Sequence, residues 1–180
     1  MKISKRKIGI VIIFVIFILI ESISFATYQN AIKNETEIND IEEKLEKSYI
    51  ENKVNLTTEE QETLNLINKY RKEMGLNELK PLCELQETAK LKAQDIVENK
   101  YFSHTSPQLG TPFEMLKENE INYTIAGENL AGNISPEKAV EAWINSPSHK
   151  SNIIEEKFKY TGISVVESEI YGKVFVQLFI

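Results

Sequence analysis

Two Ser-Pro dipeptides, Ser135-Pro136 and Ser146-Pro147, place the tightest local constraint on this chain. Serine is a preferred helix N-cap and proline is favoured at the first helical position, so each pair reads as a helix start. The first helix must run from Pro136 and stop before Ser146, with Ala139, Val140, Trp143 and Ile144 making one apolar face. Such a face needs a layer to pack on, and Trp143 is its largest member. The second start puts His149 in a first helical turn, followed by Asn152 and Ile153. The positive end of a helix disfavours imidazolium, which predicts a neutral ring able to accept a proton or bind a metal. Just upstream, Gly127-Glu128-Asn129 is predicted as a turn in which glycine permits a close backbone approach. The chain has two histidines, and the other, His104, also lies beside a Ser-Pro pair, in YFSHTSP.

The flanking segments supply the rest of a domain. Thr57 or Thr58 can cap a helix whose Leu64, Ile67, Arg71 and Met74 share a face and which Gly75 stops. A second helix is expected over Leu82–Asn99, with Leu85, Ala89, Ala93 and Ile96 inward. Thr111-Pro112-Phe113-Glu114 has the form of a capping box. Strands are predicted at Ile121–Ala126, where Tyr123 and Ile125 alternate with polar neighbours, and at Thr161–Val166 and Lys173–Ile180. Helices on both sides of a small, mainly antiparallel sheet account for this order, an α+β architecture.

The amino terminus has a different chemistry. Lys2, Lys5, Arg6 and Lys7 lead into the uninterrupted aliphatic run Ile8–Ile20, and Ser24-Phe25-Ala26 has the small-x-small form of a cleavage site. The run is short for a membrane span, which needs about 20 apolar residues. Residues 1–26 are therefore read as a signal peptide, with a retained membrane anchor as the alternative; in both cases the remainder lies outside the cytoplasm. Residues 27–57 are a polar, acidic linker with Ile38, Ile41 and Leu45 at helical spacing, and 58–180 form the domain. Beyond residue 26 the chain keeps 17 basic and 26 acidic residues. Phosphate backbones demand clustered cations, so nucleic acid is excluded as a partner. Cys83 is the single cysteine and cannot form an internal disulfide, so the exported domain must be held by its core. It is expected as a small buried hydrophobe at a helix start.

GENLAG at 127–132 and SPEKAVEAWINSPSHKSNII at 135–154 carry a resemblance, as do LINKYRKEMGLNELKP (66–81), YFSHTSPQLGTPFEML (101–116) and the final KVFVQLFI. Together, in this order, they resemble the CAP superfamily of cysteine-rich secretory proteins, antigen 5 and pathogenesis-related 1 proteins, in its bacterial, cysteine-poor branch. The resemblance implies a three-layer α-β-α sandwich and a surface cleft where two histidines and acidic residues converge. Carried onto this chain, those residues are His104, Glu128 and His149. Where many relatives have a second glutamate, three residues after the tryptophan, this chain has Ser146.

Four chemistries fit the cluster to different degrees. The three side chains could form a hydrogen-bonded network that fixes loops and binds nothing. They could anchor a ligand in a binding cleft, which makes the protein an exported, secreted or cell-surface module for an envelope polymer, lipid or peptide. Two imidazoles, His104 and His149, with a carboxylate would also suit a divalent metal such as zinc, with water in a fourth position. A metal-assisted hydrolase with Glu128 as base is the corresponding enzymatic alternative. No Gly-x-Ser-x-Gly elbow accompanies Ser103, Ser146 or Ser148, and a capping serine spends its oxygen on the backbone, which disfavours a serine nucleophile. A binding module acting as a monomeric domain is the favoured expectation.

Overall fold

The structure is a computed structural model that describes residues 5–180, with side chains from residue 26 onward except at 51. The signal or anchor reading and its cleavage motif fall on residues 1–26 and lie outside the side chains described. Two compact units divide the chain, Met1–Glu43 and Lys44–Ile180. Helix α1 (Lys5–Glu51) supplies the first, and its residues 26–40 are exposed throughout. Among the described residues no helix is long and apolar enough to cross a membrane.

In the second unit, local signals set the helix starts. Thr57 and Glu60 exchange side-chain and backbone hydrogen bonds at the head of α2 (Thr58–Glu73), and Thr111 and Glu114 do the same for α4 (Pro112–Glu118). Such boxes satisfy amide groups that a helix start leaves unpaired. Ser135 accepts from the Lys138 amide and starts α5 (Pro136–Asn145). Helix α3 (Cys83–Glu98) buries Leu85, Ala89, Ala93 and Ile96 completely. Met74, expected on the inner face of α2, is instead 50% exposed because the helix has already closed at Glu73. Arg71, which shares that face, is fully buried.

Four strands form one sheet in the order β1-β3-β4-β2. Strands β3 (Tyr160–Ser168) and β4 (Gly172–Phe179) make an antiparallel hairpin, with Gly172 at φ 75° in its turn. Strand β1 (Lys80–Pro81) runs parallel to β3, and β2 (Gly127–Asn133) runs antiparallel to β4. The stretch expected as a turn is thus a strand, and Ile121–Ala126, expected as a strand, is irregular. The one open side of β4 is taken by Gly127–Asn133, so the preceding residues have no edge left to pair with. The two-residue β1 was not foreseen.

Period-two alternation sends side chains to opposite faces of the sheet. Leu130, Val174, Val176 and Leu178 pack with α3 and α4, whereas Ala131, Phe175 and Phe179 pack with α2, α5 and α6. The result is a three-layer α-β-α sandwich. Helix α3 crosses β3 at Gly162, where an added Cβ would sit 2.2 Å from the Leu85 backbone. Trp143 is 1% exposed and its Nε1 donates to the Leu130 carbonyl at 2.9 Å, tying α5 to β2. The last turns of α1 belong to this unit: Leu45 and Tyr49 pack on the α3-side core, and Glu46 accepts from Lys80 Nζ and the Tyr160 hydroxyl.

Candidate functional site

Strand β2 is an edge strand, and consecutive residues on it face different layers. Glu128 shares its face with Leu130 and points to the α3 side, where the loop after α3 carries His104. Asn129 points to the other side, toward α6 (Pro147–Ile153). A carboxylate only accepts, so His104 Nδ1–H donates to Glu128 Oε1, at 2.7 Å. Asn129 Nδ2 donates to the His149 carbonyl at 3.1 Å, and its Oδ1 accepts from Asn152 Nδ2 at 2.9 Å. Asn152 also donates to the Glu128 carbonyl. Two adjacent residues thereby hold the two histidines from opposite faces, and the imidazole centroids lie 6.5 Å apart around the edge of the sheet. His104, Glu128 and His149 are brought together.

Exposure divides the pair. The His104 side chain is 55% exposed and that of Glu128 only 2%, so a buried carboxylate orients a ring that faces solvent. Glu128 Oε2 is buried and, among the described residues, has no hydrogen-bond partner. The Glu128 bond raises the His104 pKa above its ordinary value, against the opposing effects of burial and the Lys92 cation. Burial raises Glu128 as well, only partly offset by His104 and Lys92. His149 is pushed down, first by burial and then by the charge of His104. The neutral His149 expected from the sequence agrees in direction, with desolvation and the neighbouring His104 charge as its causes.

A second tier of polar groups lies behind the histidines. Lys92, in the middle of α3, has no exposed surface, and its ammonium donates to the His104 carbonyl at 2.9 Å and to Tyr101 Oη at 3.1 Å. The Tyr101 hydroxyl donates to Asp95 Oδ2, which also accepts from Ser106 Oγ at 2.6 Å. Burial raises Asp95, but the bonds from Ser106, Tyr101 and Asn99 outweigh it and leave the carboxyl below its usual range. Sequence reading missed Lys92, Tyr101, Asp95 and Ser106 as site components. The available signal was a lysine and an aspartate three residues apart, flanking an apolar helical face, a pattern that ordinarily marks a solvated side.

A resident metal ion needs several free donor atoms in one place. Among the described residues no group of three or more His, Cys, Asp or Glu side chains is placed to hold one. His104 Nδ1 and Glu128 Oε1 are spent on each other, which leaves two imidazoles as donors. That set falls short of the three protein ligands of a catalytic zinc centre. Ser146 differs from expectation too: it caps α6 without a side-chain bond to the backbone, and its Oγ meets Ser148 Oγ at 3.2 Å. Cys83 opens α3 half-buried, its thiol pushed up by burial and by Glu84 and Glu87, the opposite of an activated nucleophile.

Comparison with known proteins bears on this geometry. The family model described as "CAP: Cysteine-rich secretory protein family" matches residues 64–179. Protein YkwD of Bacillus subtilis (strain 168) is 40% identical over 122 residues, 67% of this chain and 46% of that protein. The membrane protein YlbC of the same organism is 33% identical, with 67% of this chain and 35% of that protein covered. This chain therefore spans less than half the length of these two relatives. Among solved structures, an extracellular protein containing an SCP domain from Bacillus anthracis str. Ames gives a TM-score of 0.63 at 30% identity, covering 71% of this chain and 45% of that one. An outer surface protein of Borrelia burgdorferi gives 0.64 at 28% identity, covering 71% of this chain and 96% of that one.

Proposed function

This chain belongs to the cysteine-rich secretory protein (CAP) family, and from that premise we propose that it is an extracytoplasmic binding module whose ligand engages the His104–His149 pair. Its similarity to an extracellular protein and to an outer surface protein supports the location. One observation carries the binding role: a nearly buried carboxylate, Glu128, holds an exposed imidazole 6.5 Å from a second one. The His104 ring, with its pKa raised, presents Nε2–H as a donor on protonation. The His149 ring, with its pKa lowered, stays neutral and keeps an acceptor nitrogen. A donor and an acceptor at that spacing suit a polar ligand, such as the hydroxyl or amide groups of an envelope glycan or peptide.

The test is titration of the whole protein with soluble cell-wall glycan and peptide fragments, followed by NMR of the two histidine rings. Both rings are expected to shift in a saturable way, and His104→Gln and His149→Gln are each expected to weaken binding at least tenfold with the fold retained. Zinc is titrated in parallel as a competing ligand. If no fragment perturbs either ring, the binding role is wrong. If zinc alone binds, in the micromolar range or tighter, the site is a metal site.

A further inference from the structure

We propose that Lys92 is the positioning residue of this cleft, a buried ammonium that holds the His104 carbonyl so that the imidazole stays on Glu128. The proposal deepens the binding reading and rests on it, because it treats the His104–Glu128 pair as the working part of the site. Its basis is geometric. Lys92 has no exposed surface, and lysine is almost never buried in full unless its ammonium is paired. Its ammonium makes one bond to His104 itself, through the backbone carbonyl at 2.9 Å, and one to Tyr101, which is in turn fixed by Asp95. The same Asp95 oxygen receives Ser106, two residues beyond His104. Ser106 pairs with Gly110 across a short bridge, so Asp95 anchors the far side of the loop while Lys92 anchors the histidine.

Without Lys92 the His104 carbonyl would lose its donor, and one end of the loop would be free to swing the ring away from Glu128. The ammonium also lies close enough to Glu128 to interact with its charge, and Glu128 Oε2 has no hydrogen-bonded partner among the described residues. A neutral aliphatic side chain of the same length would remove both effects at once. A structural lysine elsewhere in the core would do neither.

The experiment reads the tautomer of His104 in the ligand-free protein, by ring 15N chemical shifts above the pH at which the ring loses its charge. In the unsubstituted protein His104 is expected as the single Nδ1–H tautomer, locked by Glu128. Lys92→Met is expected to release it into a mixture of tautomers. Ile96→Ala, on the same helix, serves as a control that weakens the core but keeps every side-chain hydrogen bond to the loop, and is expected to leave the lock intact. A folded Lys92→Met protein that keeps the single tautomer overturns the proposal, and so does loss of the lock in Ile96→Ala. Should Lys92→Met fail to fold, the unsubstituted protein decides: one lysine ammonium must exchange slowly with water and show cross-relaxation to the Thr105 amide. Freely exchanging ammonium signals from every lysine overturn the proposal. None of these measurements involves a ligand, so a cleft that binds nothing leaves their outcome unchanged and the two claims fail separately.

Discussion

His104 is pulled in two directions, raised by Glu128 and lowered by burial and by Lys92. Glu128→Leu removes both raising effects, the hydrogen bond and the charge, and leaves both lowering ones, so its pKa is expected to cross from above to below about 6.5. A ring titration by NMR checks the sign, and a value that stays above about 6.5 contradicts the assigned cause. The linkage follows. With a raised folded pKa, His104 contributes stability that is fully present below the unfolded value and is lost as pH rises through the folded one. In Glu128→Leu the sign inverts, and His104 then opposes folding as pH falls below about 6.5. His149 already behaves in that second way, because burial and His104 depress it. His104→Gln should move the His149 pKa upward but not fully back, since burial persists. Trp143 is a residue of another kind: it is buried and bonded to Leu130, and Trp143→Ala is expected to cost about 3–5 kcal/mol in denaturant melts. A loss under about 1 kcal/mol would contradict its place in the core.

Elements are joined in this fold by side chains that satisfy backbone groups. Arg71 of α2 donates to the carbonyls of Asn77, Ile153, Glu155 and Phe158, so it ties α2 to the end of α6 and to the segment that enters β3. Arg71→Met leaves four carbonyls without that donor and is expected to cost about 3 kcal/mol or more, read from the urea midpoint with an unchanged slope. Arg71→Lys should recover only part of this, because an ammonium cannot reproduce the rigid fork of the guanidinium. Sheet edges are closed in the same manner. Past the two residues of β1, the Gln86 amide accepts from the Ile163 N–H at 2.9 Å and donates to its carbonyl. On the opposite edge Trp143 and Asn152 donate to the Leu130 and Glu128 carbonyls. An open strand edge is a template for pairing with another chain. Gln86→Ala is therefore expected to lose about 1–3 kcal/mol and to self-associate in sedimentation experiments, where the parent chain stays at a smaller mass. Loss of stability without association would confine Gln86 to a packing role.

On the scale of the molecule, the second unit begins before the first sequence signal of a domain. Tyr49 packs on the α3-side core, its ring 6.4 Å from that of Tyr160 and under the Lys80 ammonium at 4.9 Å. Tyr28, within Met1–Glu43, is 62% exposed. In the full chain Tyr49→Ala is expected to cost about 1–2 kcal/mol, and thus to lower Tm by several degrees, whereas Tyr28→Ala should change stability by less than about 0.5 kcal/mol. Equal effects of the two substitutions on the thermal melt would contradict this division. The whole molecule also accommodates one free thiol without a disulfide, because both faces of its sheet carry a buried apolar layer.

Helix starts were legible in the sequence because capping is local: Thr57 with Glu60, Thr111 with Glu114, and Ser135 with Lys138 are each three residues apart. The inward faces of α3 and α5 and the β3–β4 hairpin were legible for the same reason, since their periodicity depends only on neighbours along the chain. The three cleft residues and their convergence were expected from the resemblance the motifs carry; the backbone that brings them together was not. Gly127–Asn133 contains two glycines and two asparagines and lacks a β-branched residue, so nothing in its composition favours a strand. Pairing with β4 across its full length makes it one, and only then does period-two alternation send Glu128 to His104 and Asn129 to the His149 backbone. Lys92 looked like an ordinary helix cation, and Arg71 was placed on an inner face without a partner, because their acceptors lie on other segments, at positions 104, 153, 155 and 158 among others. Local hydrogen bonds and apolar spacing are written along the chain; a buried charge depends on which distant carbonyls meet it, and only the assembled layers decide that.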